Sequence, residues 1–213
     1  MRTVKLLTLA ALVAVPASVS AQGMPFMSGG IDFFGGLAMP TGDFADDDGG
    51  DEESGFAGMG FMVGTDARLP LGTTPFGRVT TVSVNSFGFD AEEAFGDGVD
   101  GTRYWLIPIT TGLSYPFSMS PTMSLVPMAQ VGANIALGPK ADADGGGEAN
   151  AKMSFSLAFS AGADLMFTQN LGVTARYMNG GAPEREIEFD PGDDGEKDSP
   201  MSWLQLGVVY RFR

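Results

Sequence analysis

Three aspartates and three arginines sit where charge is hardest to keep. Asp32, Asp66, Asp164, Arg68, Arg176 and Arg211 lie inside stretches that are otherwise apolar, small or hydroxylated. Of the 26 acidic residues the other 23 fall in four segments: seven in Thr41 to Ser54, five in Asp90 to Gly101, three in Gly138 to Ala151 and eight in Asn179 to Pro200. A carboxylate or guanidinium withdrawn from water is very costly unless paired. The six embedded charges are therefore expected to form an ion-pair network. The rival chemistry for such an array is a proton or ion path.

The clustered carboxylates suggest a second chemistry. ADDDGGDEES, DADGGGE and DPGDDGEKD set aspartate beside glycine, which suits the several flexible oxygen ligands that calcium prefers. Asp142, Asp144, Glu148, Asp193 and Asp194 are the candidate ligands and calcium the candidate cofactor. DADGGGE departs from an EF-hand, with Gly146 in place of Asp or Asn and no glutamate at the twelfth position. The plainer reading is a set of solvated acidic loops, as a high-salt habitat favours. Adjacent carboxylates such as Asp193 and Asp194 could serve as general acid and base only within a pocket, which a loop does not supply.

Composition closes off other chemistry. With no histidine and no cysteine, the chain cannot run Ser-His or Cys-His catalysis, ligate zinc through imidazole, or carry a disulfide. Its formal charge of −14 makes nucleic acid an unsuitable partner. The expectation is a non-enzymatic protein.

The elements that position these residues follow from periodicity. In FSLAFSAGADLMF, Phe155, Leu157, Phe159, Ala161, Ala163, Leu165 and Phe167 share one parity, against Ser156, Ala158, Ser160, Gly162, Asp164 and Met166 on the other. A period of two is a β-strand with unlike faces, and an unbroken apolar face backed by a polar one suits a strand between lipid and a polar lumen. Eight such strands are expected: Gly30 to Met39, Gly55 to Leu69, Phe76 to Phe89, Arg103 to Phe117, Met123 to Leu137, Met153 to Phe167, Leu171 to Met178 and Ser202 to Phe212. In the third, Val82 and Val84 share a face whose direction the sequence does not reveal. Asp32, Asp66, Asp164, Arg68, Arg176 and Arg211 all take the lumen parity.

Short connections (Pro70 to Pro75, Ser118 to Thr122, Thr168 to Asn170) alternate with the four acidic segments. That alternation predicts short periplasmic turns and long extracellular loops. Tyr115, Phe117, Phe167, Tyr210 and Phe212 near the short turns, and Trp105, Phe155 and Tyr177 near the long loops, would form two interfacial girdles. Arg2, Lys5, the apolar run LLTLAALVAV and Val19-Ser20-Ala21 read as a cleaved secretory signal. Residues 1–21 are thus expected to be a signal peptide and 22–213 the barrel. Losing Arg2 and Lys5 would take the charge from −14 to −16. The fold class is all-β: an eight-stranded antiparallel up-and-down transmembrane β-barrel, preceded by a cleaved signal peptide.

The segments GIDFFGGLAMPTGDF, IPITTGLSYPF and LQLGVVYRFR resemble the small eight-stranded outer-membrane barrels of the OmpA and OmpX type. The resemblance is one of pattern and spans nearly the whole mature chain. It implies a bacterial outer-membrane location, contact with outer-membrane lipid and lipopolysaccharide, and recognition of the last strand by the barrel-assembly machinery. Phe212, Tyr210, Val208, Leu206 and Leu204 match that last-strand pattern, although Arg213 follows the aromatic. The expected role is structural or surface-interacting, through the acidic loops and through cations or a partner bound there. The alternative is a narrow channel for ions or small solutes. Protease added to intact cells should cut within Thr41 to Ser54 or Asn179 to Pro200; cleavage at Ser118 to Thr122 instead would invert the orientation.

Overall fold

The computed structural model describes residues 29–45, 56–90, 99–138, 140–143, 147–151, 153–181, 184–190, 195–198 and 201–212. Eight long strands occupy most of them: β1 (Gly30–Thr41), β2 (Ala57–Pro70), β3 (Gly77–Phe89), β4 (Tyr104–Ser114), β5 (Ser124–Leu137), β6 (Ser154–Met166), β7 (Leu171–Asn179) and β8 (Ser202–Phe212). Each pairs antiparallel with its neighbours in sequence. The last returns to the first in an unbroken register from Ile31↔Phe212 to Thr41↔Ser202, closing the barrel. Closure leaves no strand edge to be satisfied by solvent.

Hydrophobicity is inverted relative to a protein dissolved in water. Leu157 and Phe155 are 67% and 62% exposed on the outer face, whereas Asp32, Asp66 and Asp164 have no accessible surface. Outward aromatics cluster at both rims. Phe33, Tyr210 and Phe212 pack edge to face at the short-turn end, as do Phe76 and Tyr115, while Phe61 meets Trp105 toward the long loops.

The short turns are held by hydroxyl groups. Thr168 Oγ1 accepts hydrogen bonds from the backbone N–H groups of Asn170 and Leu171, and Ser120 Oγ accepts those of Thr122 and Met123. Such side chain-to-backbone bonds stabilise tight reversals without long connections. In the remaining turn Gly72 supplies a left-handed residue (φ 60°).

Three details go beyond the sequence expectation. The β2–β3 register shifts between Gly58 and Gly60, leaving Met59 as the extra residue. This bulge turns Ala57 inward, buried, where strict parity puts it with the outward set. Strand β4 ends at Ser114 rather than Phe117, and Phe117–Ser118 forms a separate short strand against β5. Finally, β3 has Val82 and Val84 outward and Thr81, Ser83 and Asn85 buried inward.

The long connections carry strands of their own, which the sequence expectation treats as loops. Val99–Gly101, Lys140–Ala143, Gly147–Ala151, Glu184–Asp190 and Gly195–Asp198 form a five-stranded antiparallel sheet. Their order follows that of β4 to β8, so this sheet extends one side of the barrel wall beyond the membrane-spanning belt.

One seam in the wall is incomplete. Pairing between β3 and β4 runs from Gly77↔Ser114 to Val82↔Ile109 and resumes at Asn85↔Leu106, passing over Ser83–Pro108 and Val84–Ile107. Proline has no N–H to donate to a ladder. The Asn85 side chain bridges the seam by donating to the Leu106 carbonyl at 3.2 Å. Hydrogen exchange of the detergent-solubilised barrel should run faster at Ser83–Val84 and Ile107 than at the flanking residues of β3 and β4. Uniform protection along both strands would show that the seam is closed in solution.

Candidate functional site

The lumen is organised around the embedded charges. β1 contributes Asp32 opposite Asp66 of β2 on one side and Arg211 of β8 on the other. Arg68 follows two residues after Asp66, on the same face. β6 and β7 bring Asp164 opposite Thr174, two residues before Arg176. All six charged residues are buried.

Each carboxylate bridges two guanidiniums. Asp32 accepts from Arg68 Nε at 2.7 Å and from Arg211 Nε and Nη2, both at 2.9 Å. Asp66 accepts from Arg176 Nη1 and Nη2 at 3.0 and 2.6 Å and from Arg68 Nη2 at 3.1 Å. Asp164 accepts from Arg176 Nη2 at 3.2 Å and also from Arg68 Nη2. Arg68 thus touches all three carboxylates and holds the cluster together. Three negative and three positive groups balance, so the cluster introduces no net charge.

A further set of residues orients the ions. Thr81 donates to Asp66 Oδ1 at 2.7 Å and accepts from Gln130 Nε2 at 2.8 Å, while Arg176 Nε donates to Thr174 at 2.9 Å. The Arg176 guanidinium lies over the Phe34 ring, 4.2 Å from its centroid, a cation–π contact strengthened by desolvation. Phe34 reaches that position because Gly64 has no side chain: a Cβ there would come within 2.4 Å of Phe34 Cζ. Gln130, Thr174 and Phe34 all stand at inward parity. Thr81 lies in the one strand whose facing the sequence left undecided.

Toward the long loops the lumen is apolar. Phe44, Phe87, Tyr104, Leu106, Met178, Met201 and Trp203 are buried there, with Phe44 packed edge to face on both Phe87 and Tyr104. Alternation puts Tyr104, Leu106, Met178 and Trp203 on the lumen face, but their packing with Phe44 and Phe87 into one apolar plug is decided by the closed barrel. Between plug and ion cluster lie buried polar atoms without a protein partner, among them Thr110 Oγ1, Ser160 Oγ, Gln130 Oε1 and both amide atoms of Asn134. Groups of this kind are ordinarily satisfied by internal water.

The carboxylates of Asp32, Asp66 and Asp164 lie within 4.8 Å of one another, a spacing that a cation could bridge. Here the guanidiniums do so. Of the calcium candidates, Asp144, Asp193 and Asp194 lie outside the described residues. Asp142 and Glu148 are direct register partners in the five-stranded sheet. Glu148 in turn pairs with Asp190 and Asp142 with Asp100, so four acidic positions form one row across four strands.

A closed eight-stranded barrel with apolar side chains outside and ion pairs inside is membrane architecture, and the comparison with known families agrees. The family model for the outer membrane protein beta-barrel domain matches residues 7–212. The chain belongs to this family. As a member of the outer membrane protein beta-barrel family it is a bacterial outer-membrane protein. It is similar to Ail, the attachment invasion locus protein of Yersinia pestis (17% identity over 86% of this chain and 97% of that one, TM-score 0.48). It is also similar to Neisserial surface protein A (16% identity, 85% and 96% covered, TM-score 0.45). A third similar structure is a major outer membrane protein from Thermus thermophilus (15% identity, 85% and 99% covered, TM-score 0.49). No curated protein matches the sequence.

The geometry of the ion cluster makes a testable prediction. Removing one partner of a buried pair costs about 3–5 kcal/mol because the other charge is stranded. Asp164→Ala leaves Arg68 and Arg176 with fewer carboxylates and should lower the unfolding free energy of the barrel by an amount in that range, seen as a lower denaturant midpoint at unchanged slope. An unchanged midpoint would refute the paired-lumen arrangement.

Proposed function

We propose that this protein is a non-enzymatic surface-interaction barrel whose working face is the acidic sheet on its long-loop side. The observation that carries the reading is the register of that sheet. Cross-strand partners share a face, as do residues two apart. Asp100, Asp142, Glu148, Glu184, Glu186, Glu188, Asp190, Glu196 and Asp198 are therefore positions of one face, with Lys140 the one basic residue among them. The other face takes Val99, Ala141, Ala149, Ala151, Ile187 and Phe189, with Arg185 and Lys197.

Like charges directly opposite one another in a sheet are destabilising, so this face gains from a cationic counterpart. Calcium takes several oxygen ligands in flexible geometry, and a row of carboxylate positions offers such ligands. A cation-loaded face would stand beside the phosphate-bearing lipopolysaccharide headgroups and could bridge to them. Export behind the signal peptide at 1–21, with assembly read from Phe212 and the alternate residues before it, would deliver the 22–213 barrel with this face outward. The composition, lacking both histidine and cysteine, supports a role without catalysis.

The channel alternative is less favoured because the ion cluster and the aromatic plug block the lumen in series. The refolded 22–213 barrel in a planar bilayer should show no discrete conductance steps. In calorimetry it should bind calcium, and Asp142→Asn with Glu148→Gln should weaken that binding while the β-sheet circular dichroism spectrum of the barrel is unchanged. Reproducible single-channel steps would put the channel in front. Calcium binding unaffected by the double variant would remove the acidic row from the site.

A further inference from the structure

The outer wall has a concavity amid its convex apolar belt. A groove of about 620 Å³ runs across β8, β1, β2 and β3, lined by Phe33, Gly35, Val63, Val84, Val208 and Tyr210 among others, with no charged residue in its lining. Its floor is Gly35, flanked in the same cross-strand row by Val208 and Val63, while the Phe33 and Tyr210 pair forms the wall toward the short turns.

The glycine that opens the groove is not demanded by the backbone. A Cβ on Gly35 would meet only the Met62 carbonyl at 3.5 Å and Val63 Cγ1 at 3.8 Å, both ordinary contacts. At the neighbouring Gly36 a Cβ would fall 2.1 Å from the Leu206 carbonyl, so there the fold itself requires glycine. What Gly35 provides is empty space on the lipid side. On β6 the equivalent outward positions hold Phe155, Leu157 and Phe159, all more than half exposed, and the surface bulges instead.

We propose that this groove seats one acyl chain of an outer-membrane lipid, as a defined binding position distinct from the general lipid annulus. The groove is continuous with the apolar belt that membership of the outer-membrane family sets against lipid. Its lining offers a methylene chain contact on several sides, where a convex wall offers one. The lining carries no charge to hold a headgroup, so selection acts on the hydrocarbon. Apolar clefts that bury most of a ligand's surface are the usual form of a specific apolar site.

The test uses the full mature barrel in proteoliposomes containing a phosphatidylethanolamine with a photoreactive diazirine on one acyl chain, the adducts being mapped by peptide mass spectrometry. Adducts should be in excess on peptides covering residues 31–37, 61–65 and 208–210 relative to those covering 155–159. Gly35→Leu, which fills the floor without a backbone clash, should abolish that excess and leave labelling at 155–159 unchanged; Val63→Phe, narrowing the groove from its side, should do the same. Labelling spread evenly around the wild-type belt would overturn the proposal whether or not either variant folds. So would an excess that survives in correctly folded Gly35→Leu, or cross-linked dimers through residues 31–37, which would assign the groove to a second copy of the chain.

Discussion

Inside a bilayer an unpaired peptide group has no water to turn to, and each one left unsatisfied costs several kcal/mol. Nearly everything in this structure follows from meeting that demand with strands. Eight of them close on themselves through the β1–β8 register, and closure fixes which side chains face lipid and which face the lumen. It also explains why the seam at Pro108 is notable: a residue without an N–H stands in a wall that should have none missing. The Asn85 carboxamide, donating to the Leu106 carbonyl and accepting from Gln205 Nε2 at 2.6 Å, reinforces the wall there.

Closing a barrel of this size creates an interior narrow enough to be filled by side chains, and here two unlike materials fill it. One is a neutral cluster of three carboxylates and three guanidiniums; the other is an aromatic and methionine plug. Buried ion pairs are weak evidence of net stability, because desolvation offsets most of the Coulombic gain. Their stronger effect is on specificity. With Arg68 touching carboxylates from β1, β2 and β6, a register slip in any of the three would leave a charge without its partner. Phe34, lying over Gly64 and beneath Arg176, ties the apolar packing to the same cluster.

The acidic sheet beyond the barrel is a different physical regime. Its acidic positions are not matched across the register by opposite charge; they follow one another along the row from Asp100 to Asp190. Such a row is consistent with a face that meets cations or a cationic partner. The ion cluster in the lumen is neutral within itself, whereas every position of this row is acidic.

The sequence by itself determined the eight wall strands, the faces of all but β3, and the inward placement of the six embedded charges, because β alternation and the cost of lone charge in lipid are local rules. Asp164 and Arg176 are inward by parity alone, whatever their neighbours. Alternation could not reveal which arginine meets which aspartate. That depends on strand stagger around a closed cylinder, which brings Arg68 of β2 to Asp164 of β6 across 96 positions of sequence. Nor could it show the bulge at Met59, which reverses the facing of Ala57, or the direction of β3, whose mixed Thr, Ser, Val and Asn residues carry little contrast between faces. The aromatic plug escaped for a related reason: parity puts Trp203 on the lumen face with Gln205, but that it meets Phe87, and Phe87 meets Phe44, in one apolar layer depends on the closure of the barrel. The joining of three acidic connections into one sheet was likewise decided only in three dimensions, where neighbouring strands of the wall carry their extensions past the membrane side by side.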